Sequence, residues 1–293
     1  MALRAKKAVV KEARLKALLY ADKGVGKTHF CCSFPEAYYI DTEGLEDYPH
    51  LVGMLESNKG VIVHLTELSE IIKEVTELLS TKHPYKTVII DSISFPYAWL
   101  AQQEVDRLTK KSPGTEGTEF GANLAKAKRL TFQLGILLSR LDLNVIAVSH
   151  ERIKYMDSKE IGKTFDINEK LAYSLGAVLN LQLRGKSRKL FIEKSRYSEL
   201  KTGEFIDFDD GYETIKNLFG EEIFVREVKV EALATTDQLK EFERLVALLT
   251  ITDEKVNKML ISAKASAIEE VSQEFMDRVL TKLKANLNGE SPE

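Results

Sequence analysis

The sequence predicts an α/β fold, a mostly parallel sheet flanked by helices, followed by a small C-terminal all-α module. Three observations predict it. Short runs dominated by apolar residues, at 15–20, 37–41, 87–91 and 144–149, alternate with longer stretches of helical periodicity. A glycine-containing turn, Ala-Asp-Lys-Gly-Val-Gly-Lys-Thr at 21–28, joins the first apolar run to a short helical stretch. From about 235 to 287 helical periodicity continues without a single Gly or Pro.

Taken in order, Leu15, Ala17, Leu18, Leu19 and Tyr20 read as a buried strand, and Thr28 to Phe34 as a short helix closed by Pro35. Strand 37–41 follows, then a short strand at 61–63. A helix at about 67–80 places Leu68, Ile71, Ile72, Val75, Leu78 and Leu79 on one face. Strand 87–91 precedes helices at 97–109 and 120–141, the second carrying Leu124, Leu130, Leu134, Leu137, Leu138 and Leu141. After strand 144–149, two strands near 177–183 and 188–194 join through Gly185 as an antiparallel edge hairpin. Residues 109–119 and 151–168 are long, polar and glycine-containing, the composition of functional or disordered loops. In the last region Leu239, Phe242, Leu245, Val246 and Leu249 make one stripe. Thr252 and Ser266 read as N-caps, the second in a capping box with Glu269. The expected division is a core over 1–230, with a basic N-terminal segment, a linker around 229–236 and a helical module over 235–290.

A chain of 293 residues buries a full core. Its net charge of −3 makes no global demand for nucleic acid or membrane, and no window reaches the roughly 20 apolar residues of a membrane span. Residues 1–16 lack the continuous apolar stretch of a signal peptide, so a reducing cytoplasm is expected. The adjacent Cys31 and Cys32 suit neither a mutual disulfide nor a metal spacing. Charge is uneven: 1–16 and 184–196 each carry six Lys/Arg against one Glu, whereas 203–222 carries seven acidic residues against one Lys.

Residues 21–28 fit the spacing G-x-x-x-x-G-K-[ST], with Ala21 at the first glycine position. Gly24 and Gly26 let successive backbone N–H groups turn inward around an anion, a path that a Cβ would crowd. Lys27 supplies a point charge toward β and γ phosphates, and Thr28 a hydroxyl for a hard cation. The helix starting near Lys27 adds partial positive charge. The stretch Ala21, Asp22, Lys23, Gly24, Val25, Gly26, Lys27, Thr28 and His29 is therefore expected to hold a nucleoside triphosphate, ATP, with Mg²⁺. Such a loop needs an acidic partner at a neighbouring strand end. Asp91, closing Val-Ile-Ile-Asp, is the expected second metal residue beside Thr28. Hydrolysis needs a group that orients or deprotonates water, and Glu43, just beyond strand 37–41, is the candidate, with Asp41 two residues before it.

The order of these motifs resembles the RecA-type recombinase core. The carriers are the phosphate loop, Tyr39-Ile40-Asp41-Thr42-Glu43-Gly44, Val88-Ile89-Ile90-Asp91-Ser92 and a strand ending at Ser149-His150. It is most similar to the phage-encoded RecA-like single-strand annealing ATPases of the Sak group, over roughly residues 12–200. The resemblance implies that Glu43 activates water and that His150, where recombinases usually place Gln, senses the γ-phosphate. It also implies that Lys194 and Arg196, ending the late hairpin, reach into a neighbouring subunit's site. Its DNA-contacting loops fall on the two unassigned stretches, making Lys110, Lys111, Arg152, Lys154, Lys159 and Lys163 phosphate contacts and Tyr155 a base-stacking residue. Residues 151–170 nevertheless balance five acidic residues against five basic ones, so several subunits in register or the basic segment at 1–16 would have to assist. The implied function is a Mg²⁺-dependent, DNA-stimulated ATPase of phage recombination, a ring or filament on single-stranded DNA in the host cytoplasm. The terminal helices would recruit a single-stranded-DNA-binding protein or close an oligomer contact. Two other readings stay open: a DnaB-like helicase or helicase loader, and a nucleotide-gated DNA-binding protein with negligible turnover.

Overall fold

A computed structural model describes residues 14–112, 116–156, 159–208 and 210–287. Nine strands follow the chain as β1 (Lys16–Ala21), β2 (Ala37–Asp41), β3 (Val61–His64), β4 (Thr87–Asp91), β5 (Asn144–Met156), β6 (Lys159–Phe165), β7 (Ala177–Arg184), β8 (Ser187–Ser195) and β9 (Phe205–Phe208). Their order in the sheet is β3-β2-β4-β5-β1-β7-β8-β9. Strands β3 to β7 along this path are parallel, β7, β8 and β9 pair antiparallel, and β6 folds back on the far half of β5. The expected class, a mostly parallel sheet flanked by helices with a C-terminal helical region, is the one the chain adopts.

The apolar strands alternate residue by residue between two cores, because successive side chains leave a strand on opposite faces. Leu18, Tyr20, Val88, Ile90, Val145 and Ala147 enter one cluster. Helices α3 (Leu68–Ser80), α4 (Ser94–Lys111), α5 (Ala125–Arg140) and α6 (Glu169–Ser174) cover it. Ala17, Leu19, Ile89, Ile146 and Val148 enter the other. There α1 (Lys27–Cys32), α2 (Pro49–Ser57), α7 (Gly211–Phe219) and α8 (Glu222–Val225) pack. Continuous burial of β1 thus follows from helices on both sides, as a parallel sheet requires. Cys31 and Cys32 are free thiols buried in the second core, where desolvation pushes both pKa values up.

Helices α9 (Thr236–Leu248), α10 (Asp253–Ala263) and α11 (Gln273–Leu287) enclose a separate cluster around Phe242, Leu245, Val271, Met276 and Leu280. They meet the core through Arg140, whose Nη1 donates to Lys264 O at 3.3 Å, and through Gln133, which donates to Glu270. The capping box belongs to Thr235 and Gln238 at the start of α9. At Ser266 no α-helix begins. Glu270, rather than Glu269, accepts the N–H groups of Ser266 and Ala267 around a single 3₁₀ turn.

Two expectations from the sequence change. The stretch 151–168 is largely a β-hairpin, because β5 runs past the sheet and pairs with β6, from Glu151↔Phe165 to Met156↔Lys159. Alternating charge hid its strand character. Arg14 and Lys16, read as part of a basic segment, are structural side chains bonded to backbone carbonyls, Arg14 buried and Lys16 half-buried. The Arg14 guanidinium bonds the carbonyls of Ile223 and Arg226, and Lys16 Nζ donates to Leu141 O at 2.6 Å and Leu143 O at 2.7 Å. Burial brings the Lys16 pKa down to about 7. The rest of that segment, residues 1–13, lies outside the described residues.

Candidate nucleotide-binding site

Register places the site. Ala21 pairs with His150 across β1 and β5, and Asp41 with Asp91 across β2 and β4. All four stand at the carboxyl edge of the parallel strands, where open α/β sheets bind ligands. The loop 22–26 leaves β1 there and turns into α1 through Gly24 at φ +70° and Gly26 at φ +112°, conformations that favour glycine. Lys27 Nζ folds back over the loop mouth, 3.1 Å from Ala21 O and 3.0 Å from Asp22 O. Ala21 itself is buried as the last residue of β1, and its methyl group points into the core rather than at the loop mouth. His29 is exposed on α1.

Thr28 Oγ1 donates to Asp91 Oδ2 at 2.9 Å, and Tyr39 Oη donates to the same oxygen at 2.6 Å. Burial raises the Asp91 pKa against these two hydrogen bonds, while the nearby Lys27 charge lowers it. A hydroxyl and a carboxylate in contact at a phosphate loop are hard oxygen donors of the kind Mg²⁺ takes, with phosphate and water completing its shell. Among the described residues no cluster of three His, Cys, Asp or Glu stands in metal-ligating proximity. The set fits Mg²⁺.

Glu43 stands across a cleft of about 240 Å³ that Thr28, Tyr39, Tyr48, Leu51 and Asp91 also line. Asp41 does not share its role. Its carboxylate is buried and accepts the N–H groups of Glu43, Gly44 and Leu45 at 2.9–3.1 Å, with His64 Nδ1 at 2.9 Å. It builds the turn that presents Glu43. Thr42 clamps this turn to β4, since its Oγ1 donates to Ser92 O at 2.8 Å and accepts from Ser92 N at 2.9 Å. Glu43 Oε1 in turn accepts from Ser92 Oγ and lies 2.8 Å from His150 Nε2.

Burial opposes the Glu43 charge, but the hydrogen bonds from His150 and Ser92 outweigh it and hold its pKa below the usual carboxylate value. The same bond raises the His150 pKa above the imidazole norm against partial burial. Both side chains are more than a third exposed, so the pair contributes well under about 1 kcal/mol. The signs define its window. The Glu43 contribution is lost as pH falls through its lowered pKa, and the His150 contribution as pH rises through its raised one. NMR titration of the His150 ring is expected to give a midpoint above 6.5, falling back in Glu43→Gln; an unchanged midpoint would remove the pairing.

The remaining candidates lie apart from this cluster. β8 runs antiparallel, so Lys194 and Arg196 emerge at the amino end of β1. Lys194 Nζ donates to Ala172 O at 2.6 Å and Leu175 O at 3.0 Å, and Arg196 Nη2 to Tyr173 O at 3.0 Å. Both cations close the end of α6, and burial, then Arg196, lowers the Lys194 pKa. Lys110 and Lys111 occupy the last turn of α4. On the β5–β6 hairpin, Arg152 and Lys154 sit on alternate residues beside Lys159, one face, whereas Lys163 is held by Glu151 at 2.6 Å and Asp22 at 3.2 Å. Arg152 Nε bonds Phe165 O at 3.2 Å. Tyr155 belongs to this hairpin, its side chain outside the described set.

Three site residues escaped the sequence reading. Tyr39 and Ser92 stood only as members of the motifs around Asp41 and Asp91, with no role at the site, and Arg188, bound to the loop through Val25 O, was one of six cations in a basic run.

The AAA_24 family model, described as an AAA domain, matches residues 13–197. No curated protein matches the chain. Among solved structures, the crystal structure of the RadB recombinase is similar at 18% identity and a TM-score of 0.41, over 66% of this chain and 85% of that one. No helix among the described residues is long and apolar enough to cross a membrane. With a family match over most of its length and a phosphate loop facing a strand-end aspartate, the chain belongs to the AAA-domain family and is a phosphate-loop ATPase.

Proposed function

We propose that the chain hydrolyses Mg-ATP in response to single-stranded DNA and acts as an oligomer in recombination or single-strand annealing, in the manner of the phage Sak-type proteins it resembles. The observation that carries the hydrolytic half is the convergence of Lys27, the Thr28–Asp91 contact and Glu43 at one carboxyl edge of the sheet. Lys27 neutralises phosphate charge, Thr28 and Asp91 hold Mg²⁺, and Glu43 takes the proton of the attacking water. When bound, the metal neutralises charge on the phosphate oxygens. His150 stays next to Glu43 and orients it.

The DNA half rests on the hairpin, which extends beyond the carboxyl edge of the sheet and carries Arg152, Lys154 and Lys159 on one face. Three cations of one subunit supply few phosphate contacts, so binding in register by several subunits is part of the proposal. A role of Lys194 and Arg196 in a neighbour's site requires their release from the α6 carbonyls on assembly. Residues 1–230 form the ATPase core in this reading, and 235–290 a module for a single-stranded-DNA-binding protein or for a subunit contact.

One experiment tests the proposal: steady-state ATPase with and without single-stranded DNA, alongside native mass. The expected result is DNA-stimulated turnover by an oligomer, with stimulation falling steeply as salt rises. A rate indifferent to DNA at low salt would remove the DNA half, and tight ATP binding without turnover would replace hydrolysis by nucleotide-gated binding. Specific activity independent of protein concentration would remove the role of Lys194 and Arg196 in a neighbour's site.

A further inference from the structure

The cation run of the β7–β8 hairpin separates by partner. Arg184 lies over the Phe205 ring at 3.8 Å, and Lys189 pairs with Asp207. Arg188 turns the other way. Its Nε donates to Val25 O at 2.8 Å, and its guanidinium packs so closely on the loop that a Cβ at Gly26 would meet Nε at 3.1 Å. Its side chain is exposed, and no further bond holds its two terminal nitrogens among the described residues.

Sheet order tells which end of a bound triphosphate this arginine meets. Asp91, on β4, and Glu43, following β2, both lie on the β5 side of β1 and mark the metal and γ-phosphate end. Arg188 comes from β8, on the opposite side of β1. A chain of three phosphates cradled by the loop therefore has its nucleoside end toward β7 and β8. Beside the loop an open cleft of about 810 Å³ runs along Lys23, Val25, Leu183 and Phe191, and the paired Glu151 and Lys163 of the β5–β6 hairpin line it as well.

We propose that Arg188 is a nucleoside-binding residue: Val25 O fixes its guanidinium, and the plane packs against the base and ribose of a nucleotide whose phosphates the loop holds. A guanidinium suits this because it is planar, weakly hydrated and stacks on π-faces. The proposal rests on the triphosphate reading of the loop and adds to it how the nucleoside is distinguished from a bare polyphosphate.

Calorimetric binding of Mg-ATP and of Mg-tripolyphosphate to the full chain tests it. Arg188→Ala is expected to weaken ATP about tenfold, the scale of one stacking contact, and to leave tripolyphosphate unchanged. Arg188→Lys keeps the charge without the plane and is expected to stay near Arg188→Ala. Unchanged ATP affinity in Arg188→Ala overturns the assignment. So does an equal loss of both ligands at an unchanged melting midpoint; if the midpoint falls, Arg188→Lys decides by the same criterion. Lys27→Ala separates this from the loop reading, because it should weaken both ligands. If Lys27→Ala binds both like wild type, the loop reading fails; if only Arg188→Ala does so, the arginine assignment alone fails.

Discussion

Lys27→Ala is expected to lower ATP turnover by at least about a hundredfold, the scale seen when one preorganised charge is removed from a developing oxyanion. The argument is geometric. Lys27 is the cation anchored over the loop mouth, by Ala21 O at 3.1 Å and Asp22 O at 3.0 Å, where the β and γ phosphates would lie. Its side chain is half-exposed and touches neither apolar core, so the substitution should leave folding intact. Phosphate release by the purified variant, with circular dichroism as the folding control, checks this. A rate like that of the wild type means that the loop at 21–28 is not the catalytic site.

Glu43→Gln is expected to reduce turnover by about 10²–10⁴-fold, the usual contribution of a general base, while ATP binding persists. Gln keeps the volume and can still bond Ser92 Oγ, but it cannot take a proton. The three backbone N–H groups bound by Asp41 hold the turn whatever stands at 43, so the loss reports chemistry rather than loop collapse. Single-turnover kinetics with saturating ATP separates the steps: binding intact and the chemical step slow supports the role. A normal chemical step would transfer the base function away from Glu43.

The legible parts were those whose cause is local. Runs dominated by apolar residues at 15–20 and 87–91 read as strands covered on both faces, and the loop at 21–28 carries its φ requirements in Gly24 and Gly26. Helix α3 was legible because six apolar residues share one face of it. The β5–β6 hairpin was not, because exposed strands have no buried face to impose alternation, and charged residues fill both sides. The short helices α2 and α6 were missed for a related reason, with few buried positions apiece.

At the site the same boundary holds. Asp41 and Glu43 look equivalent in sequence, two carboxylates two residues apart, and only the turn distinguishes the one that binds backbone N–H groups from the one that meets Ser92 and His150. Lys194, Arg196 and Arg188 belong to one basic run, yet antiparallel pairing sends the first two to the amino end of β1 and the third to the loop. The sequence by itself determined the α/β class, the phosphate loop and the strand-end aspartate, because each follows from residues adjacent in the chain. Tertiary structure alone decided which carboxylate binds backbone, which cations are already bonded and that Arg188 meets the loop. Those outcomes depend on strand register and on competition for hydrogen-bond partners, from the turn beyond Asp41 to the meeting of Arg188 with Val25, 163 residues apart.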